Sequence, residues 1–384
     1  MQYDLAEFAL KAVAPSNALI YDDYNIPSVM VYVPKFKMSD VISGGSATVH
    51  PAFVVDDKEI DGIYISKYQN VVNNGRAYSF PGVAPANNMT WDTARGYCEA
   101  KGDGWHMMTK AEWGALLLWC VKNGTLPYGN NNFGKDSRSS SPEGIPCTYE
   151  SDGRTRHILT GSGPLTYSHN RQIDGIWDLN GNVSEWAGGF RTVYGELQFL
   201  PNNDAADSSN PQTKAATTWK ALDATTGEFI TPDGSGTTSN SVKVNVVSGK
   251  AQYDTTITTK TDSVGTQLCQ ITTASTISDK AKAVLIEYGL LPVTQGASDI
   301  YDGDVLYFNS NADERLFYCG GNFDCGASAG VGCANGSWTD RGSVNVYIGF
   351  RSALPSNRRT ACSRVCRTKT GDKGFRFRSD RMEG

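Results

Sequence analysis

The stretch DGIWDLNGNVSEWAGGFR, residues 174–191, decides how the rest of the chain is read. Asn180, Gly181 and Asn182 are turn residues, because glycine reaches left-handed backbone angles freely and asparagine tolerates them. Trp177, Trp186 and Phe190 set large apolar rings on either side of that turn. Upstream, NMTWDTARGYCEAKGDGWHMMTKAEW at 88–113 carries two helix starts. Thr90 caps the first, Asp92 lies in its first turn, and Ala94, Tyr97 and Cys98 share one face. Thr109-Lys110-Ala111-Glu112 is a capping box that opens the second, with Trp113, Leu116, Leu117 and Cys120 as its buried face. Further back, SVMVYVPKFKM at 28–38 alternates β-branched and aromatic residues and reads as a strand. PAFVVDD at 51–57 and GIYISKY at 62–68 read as a second strand pair across a turn.

Residues 1–28 read as a leader that ends in turn chemistry at Asp22, Asp23, Asn25 and Pro27. Residues 125–175, rich in Gly, Asn, Ser and Pro, read as loop. Residues 202–276 are crowded with Thr, Ser, Asp and Gly around β-prone pieces such as VKVNVV, so about 200–300 reads as a strand-rich insertion. Within it, SDKAKAVLIEYGLL is a helix capped by Ser278 and stopped near Gly289 and Pro292. The chain from Arg315 on is glycine-rich and holds two GFR tripeptides, at 349–351 and 374–376. The organisation expected is a leader, 1–28, followed by one domain, 29–384.

The 384 residues are 39% hydrophobic and 20% charged, with 40 glycines, 18 Tyr and 8 Trp. That composition can bury a core, which excludes wholesale disorder. A net charge of −5 argues against a nucleic-acid binder working by phosphate neutralisation. No apolar stretch nears the roughly 20 residues of a membrane span, so no membrane insertion is expected. The start lacks a basic n-region and a long apolar run, so no signal peptide is expected. The nine cysteines then read as mostly free thiols. Cys362 and Cys366 have no second pair or nearby histidine for zinc. His50, His106, His157 and His169 stand far apart in sequence and nominate no triad. No glycine-rich phosphate loop follows a strand.

Taken in order, MVYVPKF, GIYISKYQN, the 88–113 block, LPYGN, GIWDLNGNVSEW and GFR resemble the formylglycine-generating (sulfatase-modifying) family over about residues 29–351. The resemblance implies an α+β fold, a C-type-lectin-like domain in which the Gly-Asn-x-x-Glu-Trp turn leads into core strands. It also raises one activity, oxidation of a substrate cysteine by a copper-binding cysteine pair five residues apart. Gly320-Gly321-Asn322-Phe323-Asp324-Cys325 matches the first half of that pattern, but Gly330 stands where the second cysteine belongs and the next thiol is Cys333. A two-sulfur site for a soft metal therefore lacks support. Some family members bind calcium near the turn. Asp178 and Glu185, with the carbonyls of Gly181 and Val183, offer such ligands. The favoured reading instead has Asn180 and Asn182 making turn hydrogen bonds and Glu185 pairing with an arginine, so no cofactor is expected.

The second resemblance is carried by GGNFDCGASAGVGCANGSWTDRGSVNVYIGFRSALP, from Gly320 on. Its GGNW-like opening, AGV step and IGFRSALP ending are similar to the variable region, here 320–351, of proteins diversified by retroelements in phages and bacteria. Such regions vary at asparagine codons through randomised adenines. Changing the first two bases of AAC gives Phe, Asp, Cys, Ser, Gly, Thr, Val or Tyr, and never a stop. The candidate variable, ligand-binding positions are Phe323, Asp324, Cys325, Ser328, Gly332, Cys333, Ser337, Thr339, Asp340, Ser343, Val344, Val346 and Tyr347, and each belongs to that set. Gly326, Ala329, Gly330, Val331, Arg341, Ile348, Gly349, Phe350 and Arg351 are the fixed skeleton. Phe323, Trp338 and Tyr347 are the expected aromatic anchors. The resemblance implies a non-enzymatic binding protein at a phage tail-fibre tip, with a bacterial cell surface as the alternative setting. Its partner would be a bacterial surface protein or glycan. A homo-oligomer is left open.

Overall fold

The computed structural model describes residues 5–298, 300, 301 and 303–358. The architecture is α+β, as expected from the motif order. Five strands form one sheet in the order Asn17–Tyr21, Pro27–Pro34, Gly62–Ser66, Ser352–Pro355, His106–Met107, every neighbouring pair antiparallel. Segments from opposite ends of the sequence thus lie side by side, and the intervening chain is a loop closed at its base. The second, larger sheet is centred on Ser184–Val193, flanked by Arg315–Gly320 and Glu196–Phe199.

Both helices start where their caps place them. Thr90 Oγ1 accepts from Thr93 N at 3.2 Å and opens Trp91–Glu99. Thr109 and Glu112 exchange the two bonds of a capping box, 3.2 and 2.9 Å, at the start of Lys110–Asn123. This second helix is buried on nearly every side from Lys110 to Leu118, as a helix between two sheets must be. The helix Asp279–Glu287, capped by Ser278 as expected, crosses it so closely that a Cβ on Gly114 would stand 2.0 Å from the Glu287 carbonyl oxygen.

Two segments differ from the sequence reading. Residues 17–21 of the expected leader are the edge strand of the first sheet, preceded by a helix, Leu5–Val13. The turn at Asp22–Asn25 is therefore a hairpin, closed by Asp22 N donating to Ile26 O at 3.0 Å. PAFVVDD does not pair with GIYISKY. Pro51–Phe53 is a 3-10 turn, Val54–Val55 pairs with Lys58–Glu59, and Gly62–Ser66 pairs with Pro27–Pro34 instead. The proline at 51 sets up the turn, and the following two-residue loop, Asp56-Asp57, has both residues at positive φ. The 200–300 region is strand-rich, as read, and its strands extend the large sheet. Lys243–Val247 pairs with Glu196, and Val264–Gln267 pairs with Val305–Phe308. The second GFR at 374–376, Cys362 and Cys366 lie outside the described residues.

Candidate functional site

The backbone that carries residues 320–351 is fixed by two locks. One is the meeting of LPYGN with the Asn-Gly-Asn turn. Asn182 N donates to Asn130 O at 2.6 Å, and a Cβ on Gly129 would come 1.6 Å from Asn180 O, so only glycine lets the two loops touch. Gly181 sits at φ 78, which glycine alone adopts freely. The asparagine side chains bond across loops rather than within their own turn: Asn182 Nδ2 donates to Gln69 Oε1 and Asn180 Nδ2 to Pro127 O.

The other lock is Arg351. Its guanidinium is fully buried and bidentate on Glu185, 2.9 and 2.8 Å, and it also donates to Ser66 O, Lys67 O and Trp177 O. Gln69 Nε2 adds bonds to Glu185 Oε1 and to the Asp178, Gly181 and Val183 carbonyls. The oxygens proposed as calcium ligands, the Glu185 carboxylate and the Gly181 and Val183 carbonyls, are thus engaged by an arginine and an amide. Asp178 is buried and accepts from Gly161 N at 2.9 Å, and burial pushes its carboxyl up to about 6. Among the described residues, no group of three or more His, Cys, Asp or Glu is placed to hold a metal ion. Gln69 and Asn70, which holds Ser352 N at 2.6 Å, were missed as functional residues. Their signal was two polar residues ending the buried run GIYISKYQN.

Between these locks the chain leaves the strand Arg315–Gly320 through Gly320 and Gly321, both at positive φ, and returns as Gly330–Asn335. The loop that follows is tied down by Arg341, which donates to Glu314, Asp92 and Gln212 O. Ile348–Phe350 then runs parallel to Ser184–Trp186. Val331, Ile348 and Phe350 point into the core, as the skeleton reading expects.

The thirteen candidate positions divide by burial. Asp324, Asp340, Val344 and Val346 are exposed, and Cys325, Ser328, Ser343 and Tyr347 are half-buried. Phe323, Gly332, Cys333, Ser337 and Thr339 are buried, which corrects their reading as ligand-facing side chains. Phe323 is no exposed anchor. Its ring packs edge-on to Phe133 and His157, at 5.7 and 5.3 Å, and Phe133 N donates to its carbonyl. Gly332 has no room for a side chain, since a Cβ would lie 2.7 Å from Asp304 Oδ2. Cys333 lies within the inner strand, where burial holds its thiol well above the usual range. Ser337 turns in to Asn335 Oδ1, and Thr339 Oγ1 donates to Leu316 O at 2.6 Å.

The large apolar side chains that reach solvent in the segment 336–347 are Trp338, Val344 and Val346, exposed by 37, 47 and 38%. Trp338 Nε1 donates to Tyr318 OH at 3.0 Å. Tyr347, Trp338, Tyr318 and Trp186 form a chain of edge-to-face rings 6.3, 6.1 and 5.9 Å apart, running from the surface into the core. Asp340 lies in the same loop as Trp338, Val344 and Val346, and Asp324 in the loop before the strand Gly330–Asn335, where partial desolvation followed by the nearby Glu150 raises its carboxyl. The segment 129–158, read as plain loop, walls the Asp324 loop: besides Phe133 and His157, Asn131 O accepts from Gly326 N at 2.8 Å.

No protein-family model matches the chain, and no curated protein does. Among solved structures it is similar to PvdO from Pseudomonas aeruginosa, at 13% identity over 88% of this chain and 97% of that one, TM-score 0.30. It is similar also to Treponema denticola variable protein 1, at 11% identity over 88 and 98% of the two chains, TM-score 0.31. A third is the Major Tropism Determinant P3c variant, at 11% identity over 88 and 71%, TM-score 0.31. With TM-scores this low, fold and site rest on the geometry described above.

Proposed function

We propose that the chain is a binding protein whose diversifiable face, Asp324 to Tyr347, attaches a phage tail fibre to a bacterial surface. The observation that carries this is the pairing of a backbone locked at both ends with aromatic and aliphatic side chains turned outward. Exposed apolar groups in a cluster mark interaction surfaces, and a tryptophan anchored by one hydrogen bond is a common binding hot spot. The motif order and the asparagine-codon pattern support diversification of that face by a retroelement. Val344 and Val346 favour a protein partner, because aliphatic side chains offer no hydrogen bonds to sugar hydroxyls. Display on a bacterial cell surface is the other setting in which the same face would serve.

The alternative, a formylglycine-type cysteine oxidase, lacks its second thiolate on frame. Position 330 cannot supply it, since any Cβ there would fall 1.8 Å from Asp304 Oδ1. Burial also pushes the Cys325 thiol up to about 11, away from the thiolate a soft metal takes. The test is binding of labelled protein to a panel of bacterial cells. The parent should bind at least one strain, binding should fall with Trp338→Ala and after protease treatment of the cells. Equal binding by parent and Trp338→Ala to every strain bound would refute the assignment of the face.

A further inference from the structure

A cleft of approximately 780 Å³ opens in the 200–300 region and shares no residue with the 320–351 face. Its volume falls in the range of small-ligand sites, about 300–1,000 Å³. Three segments form it: the turn at Tyr194-Gly195, the loop 235–240, and 255–257. They are held together from below. Lys243 Nζ donates to Thr238 O at 2.8 Å, Ser241 Oγ at 2.7 Å and Thr255 O at 3.2 Å, which ties two of the walls to one ammonium. The buried Glu196 carboxylate accepts from Ser241 Oγ at 2.6 Å and Thr238 N at 3.2 Å. Gly236, at φ 73, lies so flat on the turn that a Cβ would be 2.5 Å from Val193 O. Walls fixed in this way need no ordering when a ligand enters.

The lining is chemically one-sided. It presents the hydroxyls of Ser239 and Thr256, the exposed ring of Tyr194 and the ammonium of Lys260, while the one exposed carboxylate bonded to the lining, Asp233, is turned to Ser235 N, Thr237 N and Thr237 Oγ1. Lys243 is already engaged, so Lys260 is the cation left to meet a ligand; no ion pair within 4.0 Å holds it among the described residues. Tyr194 is held at φ 47 with its N–H on Ala312 O at 2.7 Å, which fixes the backbone from which its exposed ring projects. An aromatic ring beside hydroxyl groups suits the apolar face and polar rim of a pyranose, and a lone ammonium suits a carboxylate.

We propose that this cleft binds a short acidic oligosaccharide, with Tyr194 stacking on a sugar ring and Lys260 pairing with its carboxylate. The site is independent of the diversifiable face. A receptor-binding chain with both would hold a second contact outside the changeable one.

The test is ligand-observed saturation-transfer NMR on the full chain with trigalacturonate, 3′-sialyllactose and uncharged maltotriose. At least one acidic sugar should bind more tightly than maltotriose. Tyr194→Asn, which keeps a residue tolerant of positive φ, and Lys260→Ala should each weaken that binding about tenfold. Trp338→Ala should leave it unchanged. No transfer to either acidic sugar at millimolar concentration, equal binding of maltotriose, or undiminished binding by Tyr194→Asn would overturn the proposal. Loss in Trp338→Ala alone would place the sugar on the other face.

Discussion

Replacing Arg351 with Met should come close to unfolding the protein. The guanidinium lies where the chain passes from Ile348–Phe350, in the large sheet, to Ser352–Pro355, in the five-stranded one. Its two bonds to Glu185 are 2.8 and 2.9 Å long, and both side chains are buried. Breaking such a pair from one side costs about 3–5 kcal/mol, because the remaining charge is stranded. Three carbonyl oxygens, of Ser66, Lys67 and Trp177, lose a charged donor as well, at roughly 1 kcal/mol each. The total, about 6–8 kcal/mol, compares with about 5–15 kcal/mol for a whole domain. Urea unfolding followed by tryptophan fluorescence measures it. The double variant Glu185→Gln/Arg351→Met, which removes the stranded charge, should regain part of the loss. A single variant within about 1 kcal/mol of the parent, or a double variant less stable than the single, would refute the clamp.

Trp186→Ala should cost about 3–5 kcal/mol by emptying a buried site and removing its bond to Met89 O, whereas Trp338→Ala should leave thermal unfolding within a few degrees of the parent and abolish cell binding; melts and cell binding of both check this. His157 sets a pH dependence. Burial, followed by the Arg156 charge, pushes its imidazole down to about 4, so below pH 6.5 the unfolded chain takes up a proton that the folded chain refuses. Stability from this group is present above pH 6.5 and is lost as pH falls, by about 2 kcal/mol at pH 5. The difference in stability between pH 7.5 and 5 should therefore be smaller in His157→Gln than in the parent. Gly129→Ala should destabilise by about 2 kcal/mol or more, because its Cβ would collide with a backbone oxygen that cannot swing away; chemical denaturation reads the change.

The helices were legible because their signals are local: Thr90, Thr109 and Ser278 cap within three residues of themselves. Ile348 and Phe350, two residues apart on one strand, share a face, and both point inward. Pairing partners were not legible. The strand Asn17–Tyr21 is short and looked like a tail, and only its register against Val31 to Pro27 makes it part of a sheet. At the candidate site, residue type does not say which side chains reach solvent. Phe323 turns inward because Phe133 and His157, far away in sequence, form a slot for its ring. Thr339 is buried because its hydroxyl meets Leu316 O across a loop. Both facts live in long-range packing, which a single sequence does not spell out. The 129–158 wall was hidden for a further reason. Its order comes from side-chain bonds such as Gly134 N to Asn130 Oδ1 at 2.7 Å and Ser137 N to Asn131 Oδ1 at 2.7 Å, and not from a helical or strand period.

The backbone from 320 to 351 is proposed to stay fixed while its outward side chains are free to change. Two displayed libraries, sorted for protease resistance and then sequenced, test it most directly. One randomises Asp324, Ser328, Asp340, Ser343, Val344 and Val346; the other randomises Phe323, Gly332, Cys333, Ser337 and Thr339. Most members of the first library should resist protease like the parent, and the second should survive almost solely with Gly at 332 and the parental or a closely similar residue at the other four positions. Equal survival of the two libraries, or free substitution at Gly332, would contradict it.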